Sequence, residues 1–252
     1  HTGIYTVTAG PAGLPPSSGL IPGSERTTTL TLAAIEDLAV DFGVYGPGVI
    51  TVTVWFDYNA NGAFDASIDG LLDPGVVISL TFDGATFTGT TIPGSICDFP
   101  HLLLDRTYTT TLRMSSVPPL STLTTPATGY ITSTLTATRT VGQHGYGLIG
   151  PGQIGDYVWW DLNANGAPNA NELPLAGVGV TLTGDLRNPV GGGPWIVTTT
   201  SDANGQYGFA NLLMNRTYTP TINMATTPPL SSLSTPGSYR RTLTAAAPTS
   251  FV

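Results

Sequence analysis

The stretch Trp55-Phe56-Asp57-Tyr58, followed by Asn-Ala-Asn-Gly-Ala at residues 59–63, decides how this sequence is organised. It recurs as Trp159-Trp160-Asp161-Leu162, followed by the same five residues at 163–167, so that Asp57 and Asp161 are 104 positions apart. Self-similarity at a fixed period is typical of repeat proteins, in which each repeat is one structural unit. The sequence therefore predicts two copies of one fold.

Two further segments repeat downstream and set the length of the unit. The pairs are separated by 110 positions and read LLLDRTYTTTL (102–112) with LLMNRTYTPTI (212–222), and PPLSTLTTP (118–126) with PPLSSLSTP (228–236). The larger offset arises from Asn-Pro-Val-Gly-Gly-Gly-Pro at 188–194, which predicts a longer hairpin loop in the second copy. We predict repeat 1 at residues 47–148 and repeat 2 at residues 149–252.

Residues 1–46 predict a third, partial copy. The segment 3–32 resembles the closing hairpin of both repeats, and the earlier part of that copy is absent from the sequence. An isolated hairpin is only marginally stable in water. Two explanations stay open: the chain is an excerpt of a longer repeat array, or segment 1–46 docks on another subunit as a strand donor.

Apolar and polar residues alternate along both repeats, as at 49–55 and 177–183. Alternation with period two predicts half-buried β-strands. Turn residues interrupt these strands about every ten positions, and no stretch has helical periodicity. The predicted fold class is all-β, with tandem Ig-like (Greek-key) β-sandwich domains in a head-to-tail array.

Composition and charge narrow the range of partners. The eight basic residues are all arginine, and the formal net charge is −8. An acidic surface without lysine repels phosphate backbones and anionic lipids, so we expect neither nucleic-acid binding nor peripheral membrane binding. The sequence has no run of about 18 apolar residues, so we expect no membrane insertion. Cys97 is the only cysteine. Because it cannot form an intrachain disulfide, stability is expected from packing, hydrogen bonds and metal.

The loop after the first strand of repeat 2 has the ligand spacing of an EF-hand calcium loop around a glycine, Gly166. The residues at positions 1, 3, 5, 7, 9 and 12 are Asp161, Asn163, Asn165, Ala167, Asn169 and Glu172. Side-chain oxygens, the backbone carbonyl of Ala167 and a bidentate Glu172 suit Ca²⁺, which binds hard oxygen ligands. We predict a calcium site here.

Repeat 1 offers the same pattern and then departs from it. Its candidate ligands are Asp57, Asn59, Asn61, Ala63, Asp65 and Asp69. Asp69 lies one position later in its loop than Glu172 and is one methylene shorter, so closure of this site is the weaker prediction. For both loops the alternative is a set of Asx turns, in which the side chains cap backbone amides without an ion.

Repeat 2 resembles the SdrD B-like repeats, relatives of the Cna B-type Ig-like repeats of bacterial surface proteins. The resemblance runs through residues 154–166, 171–184, 198–212 and 216–222, and repeat 1 matches more loosely over 47–147. It implies an Ig-like fold, calcium in the loop 161–172, and a rod that projects other modules from the cell. Many relatives contain a Lys–Asn isopeptide crosslink, which a chain without lysine cannot form.

No catalytic constellation is visible in the sequence. His1, His101 and His144 lie in dissimilar contexts, and none has the spacing of a zinc site or of a nucleophile's base. The clustered acidic residues fall in the two candidate calcium loops. We therefore predict that the chain is not an enzyme. The resemblance to surface proteins predicts that it is extracellular or on the cell surface.

The predicted function is a structural subunit of an extracellular filament or cell-surface stalk, built from calcium-stiffened repeats. Its expected partners are copies of itself in a head-to-tail polymer. The alternative is an adhesin that binds host or neighbouring-cell surface ligands. Trp160, Trp195 and the extension at 188–194 are the candidate binding surface for that alternative.

Overall fold

The computed structural model describes residues 3–8, 19–20, 27–32 and 43–251. These residues form β-strands and two short 3₁₀ helices, Met114–Ser116 and Met224–Thr226. In segment 1–46 the strands are β1 (Gly3–Thr8), β2 (Gly19–Leu20), β3 (Thr27–Leu32) and β4 (Val44–Tyr45). In repeat 1 they are β5 (Gly48–Phe56), β6 (Gly70–Leu71), β7 (Val77–Phe82), β8 (Ala85–Thr90), β9 (Ile96–Leu102), β10 (Arg106–Leu112), β11 (Thr122–Thr125), β12 (Tyr130–Leu135) and β13 (Val141–Ile149). In repeat 2 they are β14 (Gly152–Tyr157), β15 (Trp159–Trp160), β16 (Leu173–Pro174), β17 (Gly179–Arg187), β18 (Pro194–Thr200), β19 (Gln206–Leu212), β20 (Arg216–Ile222), β21 (Arg241–Leu243) and β22 (Thr249–Phe251).

Repeat 1 is a β-sandwich of two sheets. In one sheet β5 is central, with β9 antiparallel on one side and β13 parallel on the other. The other sheet has the order β12-β10-β7-β8. Ile50, Val52 and Val54 of β5 are fully buried between the sheets, as the alternating sequence predicts. Burial of such a side chain stabilises the fold by roughly 1.5–3 kcal/mol.

Repeat 2 has the same strand arrangement. β14 takes the place of β5, with β19 antiparallel and β22 parallel to it. β17 takes the place of β7 and lies between β18 and β20. The predicted all-β, sandwich-like fold is confirmed, whereas the domain boundaries at 46/47 and 148/149 stay a prediction.

A buried polar network links the two sheets of repeat 1. His144 of β13 contacts Thr110 of β10, with 2.6 Å between Nδ1 and Oγ1, and Ser133 of β12, with 2.8 Å between Nε2 and Oγ. The Tyr146 hydroxyl donates to the backbone carbonyl of Thr110 at 2.7 Å. Burial, together with the weaker effect of the positive charge of Arg139, lowers the pKa of His144 to about 4. His144 is therefore a neutral structural side chain at physiological pH.

The described strands of segment 1–46 pair with one another and not with the described strands of either repeat. β1 pairs with β3, and β2 pairs with β4. Most of the segment lies outside the described residues, so its docking on another subunit stays a prediction. Across the described ranges, no helix is long and apolar enough to cross a membrane.

Candidate metal centre and the joint between the repeats

The first acidic residue organises each candidate loop in the same way. The two carboxylate oxygens of Asp57 accept hydrogen bonds from the N–H groups of Asn61, at 3.1 Å, and Gly62, at 2.8 Å. Asp161 accepts the equivalent bonds from Asn165 and Gly166 at the same two distances. Gly62 and Gly166 have φ values of 76° and 74°, which glycine adopts without strain. The recurring stretch in the sequence therefore encodes one recurring turn.

The Asn residues continue the turn. Asn59 Oδ1 accepts from the N–H of Asn61 at 3.1 Å, and Asn61 Oδ1 accepts from the N–H of Ala63 at 2.8 Å. In repeat 2 the corresponding bonds, accepted by Asn163 and Asn165, measure 3.0 and 2.8 Å. These are the Asx turns of the alternative prediction. A carbonyl or carboxylate oxygen has two lone pairs, so each oxygen that accepts one N–H retains capacity for a further ligand.

The last acidic residue closes both loops, although it lies at different positions in them. Glu172 accepts from the N–H groups of Leu162, at 3.1 Å, and Asn169, at 2.9 Å. Asp69 accepts from the equivalent groups of Tyr58, at 3.1 Å, and Asp65, at 2.8 Å. The extra residue before Asp69 compensates for its missing methylene. Closure of a calcium site by Asp69 stays a prediction.

Burial distinguishes the electrostatics of the two loops. Asp57 and Asp69 are 0% and 1% exposed. Burial raises the pKa of Asp69, and the charges of Asp57 and Asp65 act in the same direction. Among the described residues the ion pairs are Arg106–Asp83, Arg216–Asp73 and Arg216–Asp185, so none involves these two carboxylates. Backbone N–H groups are therefore the donors that the structure shows for this buried carboxylate pair, and a bound cation would stabilise its charged form further.

The second loop is open to solvent. The Ser234 hydroxyl donates to Asp161 and holds the pKa of that carboxyl below its usual value. The backbone carbonyl of Ala167, a predicted ligand, accepts from the Asn169 side-chain amide at 2.8 Å. In the part of the chain that the structure describes, no three His, Cys, Asp or Glu side chains group closely enough to hold a metal ion by themselves. Any cation in these loops would also need oxygens from Asn side chains and the backbone.

Repeat 2 packs on the two ends of the first loop. The indole of Trp195, on β18, is 1% exposed and lies 5.1 Å from the rings of both Phe56 and Tyr58. Its Nε1–H donates to the backbone carbonyl of Ile68 at 2.6 Å. Tyr58 and Ile68 are the direct neighbours of Asp57 and Asp69. The loop and the joint between the repeats therefore share one stretch of backbone.

Backbone pairing and polar contacts reinforce this joint. β6 pairs with β5 and also with β17, so one sheet continues from repeat 1 into repeat 2. The Asn211 side-chain amide donates to the backbone carbonyl of Tyr58 at 3.1 Å, and Arg216 forms an ion pair with Asp73. The contacts of this joint were not predicted from the sequence, in which the long hairpin at 188–194 is the only signal for them that we find.

The equivalent side of the second loop is uncovered. Trp160 is 55% exposed and Leu173 is 59% exposed. The structure therefore separates Trp160 from Trp195, which the adhesin alternative had placed on one surface. Of these two tryptophans, only Trp160 is accessible for a contact with another molecule.

The fold and the paired loops define a class of protein: a β-sandwich repeat with an acidic, Asn-rich loop after its first strand. Residues 152–244 match the SdrD B-like domain. This match confirms the resemblance that the sequence of repeat 2 predicted.

Several staphylococcal proteins are similar to the chain over most of its length. The serine-aspartate repeat-containing protein F of Staphylococcus epidermidis is 29% identical over 229 residues, which cover 84% of this chain and 13% of that protein. The bone sialoprotein-binding protein of Staphylococcus aureus (strain MRSA252) is 27% identical over 218 residues, 80% of this chain and 18% of that protein. The chain thus spans less than a fifth of the length of these relatives.

Two solved structures are also similar. The Bacillus anthracis TIE protein has a TM-score of 0.38 at 12% identity, covering 90% of this chain and 36% of that one. A minor pilin of Streptococcus agalactiae has a TM-score of 0.31 at 12% identity, covering 81% of this chain and 93% of that one.

The similarity to these staphylococcal proteins and to the SdrD B-like domain indicates the broad class of the chain. It is an extracellular or cell-surface protein of a non-enzymatic kind, as the sequence had predicted.

Proposed function

We propose that the chain is a structural subunit of an extracellular filament or cell-surface stalk, in which calcium bound by the two loops stiffens consecutive repeats. Repeats of this kind project from a surface only if their joints resist bending. Copies of the chain are the proposed partners in a head-to-tail polymer.

The packed joint is the observation that carries this proposal. Trp195 is buried between the two repeats and hydrogen-bonds the first loop at Ile68. Since Asp57 and Asp69 flank the joint residues Tyr58 and Ile68, a cation that fixes the two carboxylates also fixes the surface on which repeat 2 packs. Calcium in the first loop would then restrict motion between the repeats.

The donor set fits Ca²⁺. Asp57, Asn59, Asn61, Asp65, Asp69 and the carbonyl of Ala63 would hold it in the first loop, and the corresponding residues of loop 161–172 in the second. The ion would supply positive charge that compensates the buried pair Asp57 and Asp69. The hydrogen bonds from Asn61, Gly62, Tyr58 and Asp65 already orient the two carboxylates.

Calorimetric unfolding of the full chain tests the calcium proposal. In millimolar calcium the transition temperature should rise above its value in a chelator, because a ligand that binds only the folded state stabilises it. Magnesium at the same concentration and ionic strength is the control. An identical transition in calcium and chelator would overturn calcium stiffening.

The second candidate function is an adhesin. It is favoured by the exposed Trp160 and Leu173, since exposed apolar groups that lie close together mark interaction sites. The name of one relative, the bone sialoprotein-binding protein, states that protein's ligand. Electron microscopy separates the two functions, because a filament subunit forms fibres and an adhesin remains as discrete short rods.

A further inference from the structure

The tripeptide Asn215-Arg216-Thr217 is the only Asn-x-Ser/Thr sequence in the chain, and it lies outside both candidate calcium loops. This pattern is the acceptor for N-linked glycosylation of exported proteins. A motif of three residues also occurs by chance, so its place in the fold decides whether it can carry a sugar. In the structure it lies in repeat 2, where the turn after β19 leads into β20.

Asn215 is at the tip of this turn and is exposed to solvent, whereas the preceding Met214 is fully buried. The backbone N–H of Asn215 donates to the carbonyl of Leu243 at 2.7 Å and so fixes the turn against β21. The backbone is therefore ordered at this position while the side chain stays outside the core. A sugar on the amide nitrogen would extend into solvent without rearranging the packing of repeat 2.

Repeat 1 contains the same turn with an aspartate in place of the asparagine. Asp105 and Asn215 have φ values of 56° and 55°, and the N–H of each donates to a backbone carbonyl at 2.7 Å. Asparagine and aspartate both tolerate this left-handed conformation. The turn itself thus does not require asparagine. What distinguishes the two positions is an amide nitrogen, which only Asn215 offers to a sugar.

We propose that Asn215 carries an N-linked oligosaccharide. The donor is an oligosaccharide joined to a lipid through a diphosphate. The side-chain nitrogen of Asn215 forms a bond to the anomeric carbon of the sugar, and the bond from that carbon to the phosphate oxygen breaks. The lipid diphosphate leaves, and the amide gives up one proton to solvent.

The other two acceptor residues are engaged in the folded chain. The Thr217 hydroxyl lies 3.1 Å from the hydroxyl of Thr242 on β21, and Arg216 forms an ion pair with Asp73 of repeat 1. Because the acceptor hydroxyl is paired, the sugar is transferred to the exported chain before β20 pairs with β21. Folding then leaves the glycan at the surface, beside the joint between the repeats.

A glycan supplies hydration to a surface that has few charges. Charged residues make up 10% of the chain, against about 25% in an average globular protein. N-linked glycans are bulky and solubilising. One at Asn215 adds polar bulk next to the ion pair of Arg216 with Asp73, where the two repeats meet.

Mass spectrometry of the full chain, purified from the cells that produce it, tests the proposal. Peptides that contain Asn215 should be heavier by the mass of an oligosaccharide. Electron-transfer fragmentation breaks the backbone and leaves the sugar attached, so it should locate that mass on residue 215. The equivalent peptides of repeat 1, which contain Asp105, should carry no sugar on that residue.

Four variants produced in the same cells separate the acceptor from the fold. Asn215→Asp installs the residue of repeat 1, and Thr217→Val removes the acceptor hydroxyl; both should lose the glycan. Thr217→Ser retains the hydroxyl and should keep it. Thr107→Val is the matched control, because it removes the equivalent hydroxyl contact with Thr134, at 2.8 Å, and leaves the acceptor intact. Circular dichroism establishes that the variants are folded.

Parent peptides in which Asn215 is found only unmodified would overturn the proposal. A sugar located on a serine or threonine hydroxyl instead would contradict the assignment, as would a glycan that persists in Thr217→Val or is lost from folded Thr107→Val. Neither calcium binding nor assembly enters these measurements. The glycan and the proposed filament function can therefore fail independently.

Discussion

The two candidate calcium loops have nearly the same hydrogen bonds and very different surroundings. In both, an aspartate accepts from two backbone N–H groups and a later acidic residue accepts from two more. Trp195 packs on the two ends of the first loop, whose end carboxylates are buried, whereas both ends of the second loop face solvent. A local motif thus sets the shape of the turn, and the element packed on it sets the burial of its carboxylates.

The largest expected effect comes from removing the side chain that covers the first loop. Trp195→Ala leaves a cavity beside Phe56 and Tyr58 and should lower the free energy of unfolding by about 3–5 kcal/mol. Trp160→Ala, at the exposed equivalent of Phe56, should change it by about 0.5 kcal/mol or less. Urea unfolding followed by circular dichroism measures both. Equal losses in the two variants would contradict the difference between the loops.

The second prediction concerns the pH dependence of stability, to which His144 contributes in repeat 1. The pKa of His144 is lowered to about 4 in the folded state, so above pH 6.5 the residue is neutral in both states and does not affect stability. Between pH 6.5 and 4 the unfolded chain binds a proton that the folded chain excludes. Repeat 1 should therefore lose about 3 kcal/mol of stability over that interval, with no further loss from this residue below it.

His144→Gln is the control for this effect, because glutamine has no charge to gain. The variant is expected to be less stable at neutral pH, where contacts with Thr110 and Ser133 are altered, and to show a shallower pH dependence. Unfolding in urea at pH 7 and pH 4.5 provides the comparison. A parallel pH dependence in parent and variant would exclude His144 as the source.

The sequence predicted the features that depend on local spacing. The repeats, the strands and the Asx turns follow from residue order at short range, so the turns at residues 57–63 and 161–167 could be predicted directly from the sequence. The position of Trp195 could not, because it depends on the angle at which two sandwiches meet and on a contact 127 residues away in sequence. The network of His144, Thr110 and Ser133 was missed for the same reason, since isolated polar residues on different strands give no periodic signal.

The third prediction compares the effect of calcium on the two loops. At about a hundred times its dissociation constant a single bound ion adds about 2.7 kcal/mol to stability. Asp69→Asn should abolish the larger share of the calcium-dependent rise in transition temperature, because the ion in the first loop also relieves the repulsion between Asp57 and Asp69. Glu172→Gln should abolish the smaller share. Calorimetry in calcium and chelator distinguishes the two, and the reverse order would contradict the account.

The smallest expected effect probes the close approach at the joint. An added Cβ at Gly70 would lie 3.3 Å from Trp195 and 3.5 Å from Leu186. Gly70→Ala should therefore destabilise the joint by about 1 kcal/mol, as mild overpacking does. Leu173→Ala, at the equivalent exposed position, is the matched control and should be nearly neutral. Thermal unfolding of the two variants side by side provides the measurement.

The central claim is that calcium in the first loop holds the two repeats in a fixed relative position. Thr88 and Thr198 are exposed and occupy equivalent positions in the two repeats, so cysteines there, in a Cys97→Ala background, can carry spin labels. Double electron–electron resonance then measures the distribution of distances between the repeats. The account predicts a single narrow distribution in calcium that broadens in chelator and is broad in both for Trp195→Ala. Distributions of equal width with and without calcium would contradict it.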